Sequence, residues 1–104
     1  MKNVVIVGAG KEGKGTFGDI FYENKWNITF IDKDENVINS LNEKNSYIVE
    51  ALYENYNEKH IIDHYHAYLI DDYTNSYEYI LNADVIVLAL YPEDIKEALS
   101  KLKF

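Results

Sequence analysis

Apolar positions along the chain follow two alternating periods. Val4 to Val7 is an unbroken β-branched run, the pattern of a central parallel strand covered on both faces. Beyond a glycine-rich stretch, Phe17, Ile20 and Phe21 stand at i, i+3 and i+4, which predicts a helix ending near Glu23 to Lys25. Ile28 to Ile31 reads as a second strand, and Val37, Ile38 and Leu41 as the inner face of a second helix. The opening is thus a β-α-β unit, whose crossover is right-handed in nearly every known case.

Between Ser46 and Ile70 the pattern changes. "SYIVEALY" and "HIIDHYHAYLI" read as extended segments joined by the polar "ENYNEK", predicting two or three short antiparallel strands inserted in the middle of the chain. Tyr77, Ile80 and Leu81 then mark a short helix capped by Thr74, Asn75 or Ser76. Val85 to Leu90 is a further buried strand. Pro92 opens a last helix with Glu93 and Asp94 in its first turn and Ile95, Ala98, Leu99 and Leu102 on its apolar face. The expectation is an α/β fold of Rossmann type, doubly wound, with a mostly parallel sheet, helices on both faces and a short antiparallel insertion. It forms one domain over residues 1–104.

All five glycines lie between Val4 and Phe21. Gly8-Ala9-Gly10-Lys11-Glu12-Gly13 is G-x-G-x-x-G directly after a strand and at the start of a helix, the context that makes this motif a dinucleotide site. Gly8 makes the turn, Gly10 admits the pyrophosphate, and Gly13 lets helix and strand pack closely. The second strand ends in Asp32, where a carboxylate accepts hydrogen bonds from the ribose hydroxyls and repels a 2′-phosphate. Lys33 beside it is the nearest group able to tolerate such a phosphate, so NAD(H) is favoured over NADP(H). Glycines that merely shape a turn would explain the motif but not the acid.

Composition removes other classes. The formal net charge is −8, and Lys25, Lys33, Lys44 and Lys59 are scattered among carboxylates, so neither nucleic acid nor an anionic membrane is an expected partner. The ten tyrosines, without a basic groove, belong to strands and interfaces rather than to base stacking. There is no cysteine, which suits a reducing cytoplasm. His60, His64 and His66 would share one strand face if 61–67 were extended; the polar face of a hairpin accounts for them, and no metal site is expected. Trp26 reads as a packing or interface residue, and Asp71-Asp72 as a loop.

The glycine pattern extends further than the dinucleotide motif. Gly8-Ala9-Gly10-x-x-Gly13-Lys14-Gly15-x-x-Gly18 resembles the N-terminal signature of mannitol-1-phosphate 5-dehydrogenases and related long-chain polyol dehydrogenases, and "TFID", "INSLN", "SYIV" and "ADVIVLAL" are similar to that family's segments in the same order. The resemblance implies NAD-dependent oxidation of a polyol phosphate or reduction of fructose 6-phosphate. It implies that Gly8, Ala9, Gly10, Lys11, Glu12, Gly13 and Asp32 line the cofactor, and that Ala89, Leu90 and Tyr91 border its nicotinamide side. Lys11 and Glu12 stand where the family usually has asparagine and isoleucine. The family's catalytic lysine, with its asparagine and histidine partners, lies in a C-terminal helical domain, so no catalytic residue is assigned among these residues. The chain is expected to bind NAD and to be inactive without that domain, and the surface the domain would cover is where a homodimer could form. Gly15 and Gly18 are expected to allow close packing against that domain or a substrate phosphate. The alternative is a stand-alone nucleotide-sensing module resembling the regulatory domains of potassium transporters.

Overall fold

The computed structural model describes residues 1–102; the last two residues of the expected domain lie outside the described residues. Four strands, β1 (Asn3–Val7), β2 (Asn27–Asp32), β5 (His66–Leu69) and β6 (Val85–Leu88), form one parallel sheet in the order β5-β2-β1-β6. The fold is Rossmann-like. β1 sits at its centre, pairing Val4 with Ile28 on one side and with Val85 on the other.

Alternation along β1 divides the core into two layers. Val4 and Ile6 join Ile28, Phe30, Ile38 and Leu41 on one face, with Phe17, Phe21 and Tyr22 packed against them. Val5 and Val7 join Ile31, Ile70, Ile80, Ala98 and Leu102 on the other. The first face is covered by α1 (Asp19–Glu23) and α2 (Glu35–Lys44), the second by α3 (Tyr73–Leu81) and α4 (Pro92–Lys101). Burial of β1 and β2 on both sides is why they read as continuous apolar runs.

Several local expectations are corrected. Ile20 is 53% exposed, because Gly13–Gly18 winds as a π-helix before α1 begins and the extra residue per turn turns Tyr22 inward with Phe17 and Phe21. The inserted segment yields one antiparallel hairpin only, β3 (Tyr47–Leu52) with β4 (Asn57–Ile62), pairing Tyr47 with Ile62 and Leu52 with Asn57. β4 begins inside the polar "ENYNEK", since ladder pairing needs backbone groups rather than apolar side chains. The third strand, β5, leaves the hairpin and lies parallel to β2, with Phe30 opposite Ala67. The chain breaks between them at residues 63–65, so 61–67 is not one strand and the three histidines share no face. α3 starts earlier than expected, capped by Asp72, whose carboxylate accepts the Asn75 N–H at 3.3 Å. β6 ends at Leu88 and is only half buried, with Val85 39% exposed, and Leu99 on α4 is likewise exposed. Trp26 packs edge-on against Phe21, with ring centroids 4.9 Å apart.

Gly18 has a role the sequence did not suggest. It is buried inside the chain, and a Cβ there would overlap the Tyr47 hydroxyl and lie 3.1 Å from the Phe30 ring. Gly15 has nothing within 4 Å. Gly18→Ala is therefore expected to cost about 1–3 kcal/mol of stability through overpacking, against a helix-preference gain of about 0.5–1 kcal/mol. Gly15→Ala should show only the gain. Thermal melts of the two variants check this: a higher Tm for Gly18→Ala would mean the contact is loose.

Candidate functional site

The carboxyl ends of β1, β2 and β6 meet at the point where the strand order reverses, β2 lying to one side of β1 and β6 to the other. In open parallel sheets this is where ligands bind. Gly8 leaves β1 with φ +105°, a conformation that disfavours any side chain, and donates its N–H to the Ile31 carbonyl at 2.7 Å. A Cβ on Gly8 would strike the Ala89 carbonyl oxygen, and one on Gly13 would strike the carbonyl oxygen of Gly8. These two glycines let β1, the helical segment and the end of β6 touch backbone to backbone. Gly10 differs: it is exposed, and no atom lies within 4 Å of where its Cβ would be.

Asp32 closes the turn from the β2 side. One carboxylate oxygen accepts the N–H of buried Ala9 at 2.7 Å, and the other accepts the N–H of Asp34 at 2.9 Å. Each oxygen accepts one backbone N–H, and a carboxylate can accept about four hydrogen bonds. Helix α2 follows directly, capped by Asp34 through the N–H of Asn36 at 2.9 Å.

The residues singled out in the sequence divide into three groups here. Gly8, Ala9, Gly13, Asp32, Ala89 and Leu90 converge, with Ala89 donating its N–H to the Val7 carbonyl at 2.8 Å. Gly10, Lys11 and Glu12 are exposed at the start of the helical segment, where first-turn N–H groups have no intrahelical partner. Lys33 lines one cleft with Gly8, Asp32 and Leu90, and Tyr91 is set apart by its exposure. The Lys33 ammonium reaches Asp94 at 3.8 Å and Glu97 at 3.7 Å on α4, across a small apolar cleft lined by Val7, Gly8, Ile70 and Leu90, whereas the Tyr91 side chain is 74% exposed.

Two groups of residues escaped the sequence reading. Tyr47 donates its hydroxyl to the Lys14 carbonyl at 2.9 Å and so ties the hairpin to the glycine-rich segment. Burial pushes its pKa well up, which keeps it a neutral donor over the whole physiological range. Beside it Lys11, Lys14, Gly15, Thr16 and residues 47–50 line an open groove. The second group is Asp19, Glu23, Glu58 and His60, brought together from α1 and β4; the hydrogen bond with Asp19 raises the pKa of His60. The sequence alone groups His60 only with His64 and His66, and the i, i+4 spacing of Asp19 and Glu23 is the one sequence signal of its actual partners.

The fold and this turn define a Rossmann-type domain with a glycine-rich loop at its switch point. The model of the mannitol dehydrogenase Rossmann domain matches residues 2–103, and the chain belongs to that family. It is 31% identical over 103 residues to a mannitol-1-phosphate 5-dehydrogenase of Thermoanaerobacter pseudethanolicus, covering 99% of this chain and 26% of that protein. It is also 31% identical over 99 residues to one of Ajellomyces capsulatus, covering 91% and 25%. With one of Streptococcus mutans it shares 46% over 50 residues, 48% of this chain and 13% of the other. The chain thus spans about a quarter of the length of the relatives that align along nearly all of it. No helix among the described residues is long and apolar enough to cross a membrane.

Proposed function

We propose that this chain is the NAD(H)-binding part of a cytoplasmic polyol-phosphate dehydrogenase of the mannitol-1-phosphate 5-dehydrogenase kind, working with a catalytic domain that supplies the acid–base residues. The observation that carries the reading is the contrast within one motif: Gly8 and Gly13 are held against backbone, while the space over Gly10 is open. A turn selected for shape alone would need no glycine at position 10. A diphosphate over Gly10 would face exposed backbone at a helix start whose N–H groups and dipole favour anions.

Gly8 to Gly13 would hold the pyrophosphate, Asp32 the adenosine ribose, and Ala89, Leu90 and Tyr91 would flank the nicotinamide side. When bound, the cofactor supplies hydride transfer. The residues of this chain would bind it and orient it. The lone pairs remaining on Asp32 suit ribose hydroxyls. Lys33 beside Asp32 is engaged by Asp94 and Glu97, and Lys101 across the same cleft by Glu97, so a 2′-phosphate there would meet Asp32 and cations already paired with carboxylates. This favours NAD(H) over NADP(H).

Calorimetric titration with NADH, NADPH, ATP and AMP tests the assignment. NADH is expected to bind and NADPH to bind at least tenfold more weakly; equal affinity for all four would point to a general nucleotide sensor. Asp32→Ala should weaken NADH by roughly 10- to 150-fold, from loss of charge-assisted bonds worth about 1.5–3 kcal/mol, and should narrow the gap to NADPH. An unchanged NADH/NADPH ratio would remove Asp32 from the ribose site. The chain alone is expected to show no mannitol 1-phosphate oxidation.

A further inference from the structure

His60 lies in β4 with its side chain 14% exposed, facing α1. Its Nδ1 is 2.8 and 3.0 Å from the two carboxylate oxygens of Asp19 and 3.7 Å from Glu23 Oε1. Its Nε2 is 3.2 Å from Glu58 Oε1. Asp19 and Glu23 are four residues apart on α1, so both carboxylates leave the same side of the helix. One ring nitrogen of His60 and one oxygen from each carboxylate all lie within 4.8 Å of one another.

We propose that Asp19, Glu23 and His60 form a binding site for a divalent transition-metal ion of the zinc class, which fastens the β3–β4 hairpin to α1. Bonds of about 2.0–2.2 Å to nitrogen and oxygen place neighbouring ligand atoms roughly 3.0–3.5 Å apart. The separations of 2.8 and 3.7 Å from Nδ1 bracket that range. Glu23 is the more exposed carboxylate, at 57%, and closes the difference by rotating its side chain. One imidazole with two carboxylates suits zinc or cobalt, whereas calcium and magnesium prefer oxygen alone.

Glu58 is a separate indication. A metal-bound histidine almost always donates its other ring N–H to a carboxylate or carbonyl, which fixes the tautomer and aims the free lone pair at the ion. Glu58 on Nε2 provides that partner and leaves Nδ1 directed at the two carboxylates. Two carboxylates also balance a dication, and the chain as a whole, at −8, attracts cations. The other histidines are elsewhere: His64 is 86% exposed beside Asp63, and His66 packs against Tyr79 with ring centroids 4.6 Å apart. The competing arrangement is a protonated His60 that holds the same carboxylates unaided.

The test is titration of chelator-treated 104-residue protein near pH 8 with zinc chloride by calorimetry, and with cobalt(II) by visible absorption. One ion per chain, a raised Tm, and a cobalt spectrum of four- or five-coordinate intensity are expected. Asp19→Asn and Glu23→Gln should each weaken zinc at least tenfold, and Glu58→Gln by roughly 10- to 100-fold. His64→Ala and His66→Ala should leave affinity unchanged. Glu23 is exposed enough that its variant will fold, so the test does not depend on His60 replacements. Absence of saturable zinc binding, or binding indifferent to Asp19→Asn and Glu23→Gln, would overturn the site and leave the proton as its only cation.

Discussion

Gly13→Ala is expected to unfold most of the protein at temperatures where the parent is stable. The added methyl would collide with the carbonyl oxygen of Gly8 and come within 2.9 Å of its carbonyl carbon, with the Ala89 methyl at 3.6 Å behind it. Neither neighbour can yield cheaply. Gly8 is fixed by its N–H bond to Ile31 at 2.7 Å and by its own positive φ, and Ala89 by its bond to Val7 at 2.8 Å. Relief would require β1, β2 and β6 to move apart at the ends where they meet. Overpacking of backbone on backbone lies at the costly end of the usual range, about 3 kcal/mol or more, out of a total that for domains of this kind is about 5–15 kcal/mol. At roughly 4–8 °C per kcal/mol the Tm should fall by more than 10 °C. Circular dichroism melts measure it. A Tm within a few degrees of the parent would show that the turn can open, and the close approach of helix and strand would lose its significance.

Gly10→Val, three residues away in the same motif, should do the opposite. Its φ is not in the left-handed region and its Cβ direction is empty, so the folded state accepts a side chain and the Tm should stay within about 2 °C. The valine would then occupy the space assigned to the pyrophosphate, and NADH affinity should drop at least a hundredfold, about 2.7 kcal/mol. Fluorescence titration with NADH beside the same melt separates the two quantities. Retained affinity would place the diphosphate elsewhere; a large loss of stability would mean Gly10 serves the fold. Together the two variants assign one glycine to architecture and the other to the ligand.

The parts legible in the sequence were those governed by local period and by backbone geometry. Val4 to Val7 and Ile28 to Ile31 are buried on both faces and announce themselves as continuous apolar strands. The glycine spacing marked the turn between β1 and the helical segment because Gly8 and Gly13 answer a steric demand that no other residue meets. What was not legible depends on long-range pairing. Nothing in "HAYL" distinguishes a third antiparallel strand from one that crosses over to pair with β2; that is decided by how Ala67 fills the layer beside Phe30. Ile20 misled because three glycines in six residues relax the helix to a wider winding, and a 3.6 period no longer predicts which side chain faces inward. Gly18 and Tyr47 are 29 positions apart and meet only through the hairpin, as do Asp19 and His60.

β6 gives the sheet an unfinished border. It is paired to β1 along one side only, ends the strand order, and presents Val85, Ile86, Val87 and Leu88 with no lysine, proline or bulge to discourage a further strand. Natural sheets guard such margins, since a bare ladder of N–H and C=O groups is a template for any extended chain. Here the guards are the shortness of β6, four residues, and the net charge of −8, which opposes association. An extended segment that paired with β6 would add the next strand to the sheet.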